Sequence, residues 1–213
     1  MDARFGSIEG VTRTRVGYTG GTKKDPTYRK LRDHTEAVQI AFDPKQVPYR
    51  KLVDLFWSSH DPHDRPGSRQ YMTAVFYHTE EQKRVILEAH ARSSSGTTGK
   101  IFTQVLPASI FYPAEEYHQK YYLQGNRALM KALEERYPDR TELLESTVAA
   151  RLNGYLAGHM TFGEVREALA RLVDLPRTVR EKSWRACRAG IAKGNRPAMS
   201  NLSFPVDFTL VLS

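Results

Sequence analysis

The chain has 213 residues, of which 40% are hydrophobic and 26% are charged, and its formal net charge at pH 7 is +8. These proportions are ordinary for a globular protein and argue against intrinsic disorder. No stretch approaches the roughly 20 consecutive apolar residues of a membrane-spanning helix, so we expect no membrane association. The single cysteine, Cys187, excludes an internal disulfide and indicates a reducing compartment. We therefore expect a cytoplasmic protein, or a mitochondrial one if the natural N-terminus lies upstream.

The first 125 residues predict one α+β domain, in which runs of strand-forming residues alternate with amphipathic segments. In chain order, the predicted elements are the end of a helix at 1–8, strands at 11–18 and 37–42, a helix at 49–57, a strand at 71–77, a helix at 80–91, a linker at 93–100, a strand at 101–106, and a short helix that begins at Pro113. This order predicts a small sheet with helices packed on it.

Residues 126–213 predict a separate helical region that ends in a basic tail. Helices are expected at 127–137, 140–153, 161–173 and 177–190, and residues 202–213 form an apolar, strand-like stretch. That last stretch is either a docked edge strand or a mis-spliced end of the gene prediction. Seven basic residues and one acid lie between Arg177 and Arg196, but Trp184 is the only aromatic residue among them. We therefore do not expect nucleic acid as a partner, and binding of nucleic acid through this tail is kept only as an alternative.

Four segments share the order and spacing of one known family. They are Arg4-Phe5-Gly6 to Tyr18-Thr19-Gly20-Gly21, Asp25-Pro26-Thr27-Tyr28 with Asp33-His34-Thr35-Glu36, Phe56-Trp57 to Arg69-Gln70-Tyr71, and Phe111-Tyr112-Pro113 to Tyr121. Together they resemble methionine sulfoxide reductase A. The resemblance implies a ferredoxin-like split βαβ sandwich, here lacking its first strand and carrying a helical C-terminal extension.

The resemblance also implies an activity and its partners. Members of this family reduce methionine S-sulfoxide in oxidised proteins and in the free amino acid, and thioredoxin is the external reductant. By position, Glu36 resembles the family's proton donor, and Tyr28 and Tyr71 resemble the two phenols that bind the sulfoxide oxygen. Supporting positions in the substrate pocket are Gly17, Tyr18, His118, Gln119 and Tyr121. The resemblance implies a monomer without cofactor or metal.

The family's nucleophile has no counterpart in this chain. Relatives carry it in a Gly-Cys-Phe-Trp segment, and alignment on Gly17-Tyr18 places that cysteine four residues before Met1. We expect the natural product to extend upstream through a cysteine or a selenocysteine, which makes the protein a selenoprotein candidate. The 213-residue chain itself is expected to be inactive, and to be poorly soluble if a central strand is missing.

Two further observations have alternative explanations. Cys187 lies between Arg185 and Arg188, which would favour a thiolate, so it is a candidate resolving thiol. It lies beyond the family match, however, and shares no motif.

His60 and His63 with Asp64 resemble part of a metal site, but no other ligand has the spacing that zinc requires. A non-catalytic short form that binds methionine sulfoxide is the alternative to an enzyme.

Overall fold

Six strands form one sheet in the computed structural model, which describes residues 1–68, 70–94, 99–192 and 209–212. The strands are β1 (Val11–Thr19), β2 (Thr35–Phe42), β3 (Ala74–Tyr77), β4 (Gln104–Pro107), β5 (Tyr112–Pro113) and β6 (Thr209–Leu212). Their order across the sheet is β4-β3-β6-β2-β1-β5. With the helices that follow, this sheet confirms the predicted mixed α+β class.

The sheet combines parallel and antiparallel pairs. β6 runs parallel to both of its neighbours, so that Leu210 pairs with Val38 of β2 and also with Val75 of β3. β3 and β4 are parallel as well, whereas β5 pairs antiparallel with β1. The interpretation of the final stretch as an edge strand was wrong, because residues 209–212 have a hydrogen-bonded strand on each side. Residues 202–208 and 213 of that stretch lie outside the described residues.

The described helices occupy the rest of the regular structure. They are α1 (Asp2–Gly6), α2 (Tyr49–Trp57), α3 (Glu80–Ser94), α4 (Tyr121–Gln124), α5 (Arg127–Glu134), α6 (Arg140–Glu145), α7 (Thr147–Leu156), α8 (Phe162–Ala170) and α9 (Arg177–Ala192), with a 3-10 turn at Glu116–His118. None of the described helices is both long enough and apolar enough to cross a bilayer.

Several predicted bounds differ from those observed. The strand predicted at 71–77 begins at Ala74, and the strand predicted at 101–106 lies at Gln104–Pro107. The short helix predicted from Pro113 is replaced by β5, the 3-10 turn and α4. The helix predicted at 140–153 is two helices, because Ser146 has extended backbone and its hydroxyl caps α7 by accepting from the Ala149 N–H at 3.1 Å. The predicted linker at 93–100 begins inside α3, and its residues 95–98 lie outside the described residues.

The chain divides into two compact units, each built from segments that are distant in sequence. The helical unit comprises Met1–Thr14 and Glu116–Leu202, and the sheet unit comprises Arg15–Glu115 and Ser203–Ser213. The core of the helical unit includes Leu129, Leu133 and Leu152, each fully buried. This division differs from the predicted boundary at residue 125. That the family-like domain comprises residues 1–125 stays a prediction.

Candidate active site

The predicted proton donor, Glu36, lies at the start of β2 and is half-buried. Its backbone N–H donates to the carbonyl of Gln70 at 3.2 Å. The side-chain amide of Gln70 in turn donates to Oε1 of Glu36 at 2.8 Å. One residue therefore holds both the backbone and the carboxyl group of Glu36.

The two predicted phenols lie in the same unit as Glu36. Burial raises the pKa of Tyr71, and the charges of Tyr28 and then of Glu36 raise it further. Tyr71 is therefore close enough to Tyr28 and to Glu36 to respond to the charge of each. The assignment of Glu36, Tyr28 and Tyr71 to one catalytic site, with their chemical roles, stays a prediction.

Glu115 fixes the loop that carries Tyr28. Its Oε1 accepts from the backbone N–H of Tyr28 at 3.1 Å, and its Oε2 accepts from the hydroxyl of Tyr18 at 2.6 Å. The backbones of Thr27 and Lys30 also exchange two hydrogen bonds, of 3.2 and 2.9 Å, across the turn that contains Tyr28. The sequence prediction assigned no role to Glu115, although it belongs to one of the four family-like segments.

The same loop is closed by Asp33 and His34. The carboxylate of Asp33 accepts from the backbone N–H groups of Thr22 and Lys23 and from the Thr22 hydroxyl, and these hydrogen bonds hold its pKa well below its usual range. Nδ1 of His34 accepts from the Gly21 N–H at 3.3 Å, so Nε2 is the nitrogen that donates to the Lys23 carbonyl at 2.6 Å. These hydrogen bonds therefore join residues 21–23 to residues 33–34, at the two ends of the loop that carries Tyr28.

Gly17 and Tyr18 support the site through β1. They pair with Pro113 and Tyr112 of β5, respectively. A Cβ at Gly17 would overlap the Phe111 ring and the Tyr112 carbonyl, so only glycine permits this close approach. The Tyr18 side chain is buried, and its hydroxyl donates to Glu115.

The remaining predicted support residues belong to the helical unit. His118 ends the 3-10 turn, the Gln119 N–H donates to the Glu116 carbonyl at 3.0 Å, and Tyr121 begins α4 with 46% of its surface exposed. Their predicted role in the substrate pocket stays a prediction.

Cys187 lies on α9 in the core of the helical unit and is buried. Burial raises the pKa of its thiol to about 12. The expectation that Arg185 and Arg188 favour a thiolate is therefore wrong in direction, since residues one and two positions away on a helix do not share a face. Both arginines are exposed, and the Arg188 guanidinium lies over the Phe162 ring at 5.4 Å.

The histidine pair that resembled a metal site is used for other contacts. The ring of His60 bonds to the Phe56 carbonyl and to the Thr103 hydroxyl, each at 2.9 Å, and His63 bonds to the Lys100 carbonyl at 3.2 Å. Within the described ranges, no group of three or more His, Cys, Asp and Glu side chains is arranged to hold a metal ion.

Comparison with known proteins adds independent information. A family model described as "Peptide methionine sulfoxide reductase" matches residues 1–151. A peptide methionine sulfoxide reductase of Drosophila melanogaster is 42% identical over 160 residues, which cover 74% of this chain and 63% of that relative. The A5 form from Oryza sativa subsp. japonica is 40% identical over 162 residues, covering 73% of this chain and 63% of its own. A reductase named MsrA from Methanothermobacter thermautotrophicus is 42% identical over 132 residues, covering 57% and 78%.

The matched region contains all four segments that carried the resemblance, and it includes Glu36, Tyr28 and Tyr71. This chain spans 63% of the length of the fly and rice relatives. The family model covers well over half of the chain, and the chain therefore belongs to the peptide methionine sulfoxide reductase family.

Proposed function

We propose that the protein containing this chain reduces methionine S-sulfoxide, both in oxidised proteins and in the free amino acid. The observation that carries this proposal is the grouping of Glu36, Tyr28 and Tyr71 in a chain of this family. A carboxylic acid and two phenols suit the reaction, because the sulfoxide oxygen must be protonated and held by hydrogen bonds while its bond to sulfur breaks.

In the proposed reaction, a thiolate or selenolate attacks the sulfur of the sulfoxide while Glu36 gives a proton to the oxygen. The protonated oxygen then moves from the methionine sulfur to the nucleophile while the bond between the nucleophile and that sulfur breaks, so the nucleophile becomes a sulfenic or selenenic acid and methionine leaves reduced. Tyr28 and Tyr71 donate hydrogen bonds to the oxygen, and the raised pKa of Tyr71 keeps its phenol protonated at neutral pH. A thioredoxin dithiol then reduces the oxidised nucleophile, becomes a disulfide, and releases the oxygen as water.

We also propose the finer properties that the resemblance implies. They are a monomer in the cytoplasm, with no resident cofactor, and a sheet derived from the ferredoxin-like split βαβ sandwich. The single thiol supports the compartment, and the mixed sheet supports the fold.

The test compares two chains in an assay for methionine released from methionine S-sulfoxide with thioredoxin as reductant. One is the 213-residue chain, and the other is extended by a Gly-Cys-Phe-Trp segment whose cysteine lies four residues before Met1. We expect the first to be inactive, because its only thiol, Cys187, is buried and has a pKa of about 12, and the second to be active. In the active chain, Glu36→Gln should lower kcat about 100-fold or more. Tyr71→Phe and Tyr28→Phe should each have a smaller effect, because the two phenols share one role.

Tyr117→Phe is the matched control, since Tyr117 is 59% exposed and belongs to the helical unit. It should leave kcat unchanged. Activity in the 213-residue chain that persists in Cys187→Ser would contradict the proposed chemistry. An extended chain that folds but turns over no sulfoxide would overturn the proposed function.

A further inference from the structure

Gln70 makes three contacts with the first two residues of β2. Its carbonyl accepts from the Thr35 hydroxyl at 2.9 Å and from the Glu36 N–H at 3.2 Å, and its side-chain amide donates to Oε1 of Glu36 at 2.8 Å. All three lengths are those of good hydrogen bonds. Thr35 is buried, so water does not compete freely for the contact at that end. Gln70 also directly precedes Tyr71, so these contacts locate that phenol as well.

The amide contact makes the two oxygens of Glu36 unequal. An amide N–H can only donate, so the oxygen that it contacts must act as an acceptor. In a protonated carboxyl group that oxygen is the carbonyl oxygen, and the proton is then carried by the other one. Among the described residues, the structure assigns no hydrogen bond to Oε2 of Glu36. Oε2 is therefore the oxygen that is available to a substrate.

We propose that Gln70 is a positioning residue that occupies Oε1 of Glu36 and so places the transferable proton on Oε2. This inference rests on the proposed function for its catalytic meaning, whereas the contact itself can be tested without turnover. Gln70 touches neither the substrate nor the nucleophile in this mechanism and acts only through Glu36.

A donor to a carboxylate favours the charged form, so removing it should make Glu36 retain the proton to higher pH. Tyr71 interacts electrostatically with Glu36 and with Tyr28, and the variants below leave both tyrosines unchanged.

The first experiment follows the side-chain carboxyl carbon of Glu36 by NMR during a pH titration of the 213-residue chain, with the signal assigned by Glu36→Gln. Gln70→Met keeps the size of the side chain but removes the donor, and the Glu36 signal should titrate at higher pH. Gln70→Glu places a second carboxyl group beside the first, and the upward movement should be larger.

Gln46 offers a matched control elsewhere in the chain. Its amide donates to Oδ2 of Asp43 at 2.8 Å, and the hydrogen bonds from the Lys45 backbone N–H and then from this amide lower the pKa of Asp43. Gln46→Met should therefore move the titration of Asp43 and leave Glu36 unchanged. If Gln70→Met, folded as judged by its spectrum, leaves the titration of Glu36 unchanged, the inference is overturned.

The second experiment measures turnover in the extended, active chain. Gln70→Met should lower kcat roughly 10-fold or more, with KM within about twofold, because a misplaced proton affects the transition state and not substrate binding. The alkaline limb of the pH profile should move upward. An equal loss through KM, with an unmoved pH profile, would indicate a merely structural role. If the wild-type chain lacks activity but Glu36 still responds to Gln70→Met, the proposed function fails while the contact stands.

Discussion

Glu115 uses both carboxylate oxygens within the sheet unit, one for the backbone of Tyr28 and one for the hydroxyl of Tyr18. Glu115→Ala would remove the 2.6 Å acceptor of a phenol that is only 1% exposed. A buried hydroxyl that loses its partner costs about 1–3 kcal/mol. We expect the free energy of unfolding, measured by urea denaturation, to fall by about that amount.

The neighbouring residue provides the control for this prediction. Glu116 pairs with Arg140, and both side chains are about half exposed. An exposed ion pair contributes about 1 kcal/mol at most, so Glu116→Ala should change stability little. Equal effects of Glu115→Ala and Glu116→Ala would show that the contacts of Glu115 do not stabilise the loop.

At the residue scale, the sequence could predict the groups whose chemistry is conspicuous. Glu36, Tyr28 and Tyr71 were predicted because they lie in family-like segments, and the structure brings Tyr71 near each of the other two, while their roles stay predictions. Gln70 and Glu115 received no role, because their importance comes from contacts across 34 and 87 residues of sequence. The thiol of Cys187 was misjudged for a similar reason, since its helical core, not its sequence neighbours, determines its pKa.

The packing of α1 on α7 depends on the absence of a side chain at Gly154. A Cβ there would lie 2.8 Å from the Ala3 carbonyl oxygen and 2.8 Å from the Cβ of Ser7. Overpacking of this kind costs typically about 1–3 kcal/mol, which exceeds the roughly 1 kcal/mol that alanine gains over glycine in a helix. Gly154→Ala should therefore lower the thermal midpoint and the free energy of unfolding.

Gly163, in the first turn of α8, isolates the effect of helix propensity. The nearest atom to a Cβ there, the Thr161 hydroxyl oxygen, is 3.9 Å away. Gly163→Ala should be neutral or stabilising by up to about 1 kcal/mol. Stabilisation by both substitutions would mean that α1 and α7 are not in close contact.

At the element scale, local patterns predicted elements well where one face is buried. α2 has the predicted bounds, because its apolar spacing and the preceding Pro48 both act locally. The sequence patterns did not predict the structure correctly where a helix cap or pairing with a distant strand determines it. Ser146 divides a continuous helical pattern into α6 and α7, and the position of β6 between β2 and β3 depends on pairing across more than 130 residues.

At the scale of the whole molecule, the beginning and the later part of the chain form one helical unit. A buried polar cluster shows how they are joined. Asp2 accepts from the Thr14 hydroxyl, from the Lys120 N–H at 3.1 Å and from the Asn153 amide at 3.1 Å. The ammonium of Lys120 is fully buried, lies 3.2 Å from Asp2, and donates to the Thr14 carbonyl at 2.6 Å. No local pattern could predict this cluster, because its members are far apart in sequence.

Removing the carboxylate from this cluster should destabilise the chain more than any surface change. Asp2→Ala leaves the ammonium of Lys120 in the core without its counter-charge, and breaking a buried pair in this way costs about 3–5 kcal/mol. Asp54→Ala is the control, since Asp54 pairs with Arg92 in an exposed position at 2.7 Å and should change stability by less than about 1 kcal/mol. Adding Lys120→Met to Asp2→Ala removes the unpaired charge, so urea denaturation should show the double variant to be more stable than Asp2→Ala alone. If Lys120→Met instead lowers the free energy of unfolding further, the stability of the helical unit does not depend on compensating the charge of Lys120.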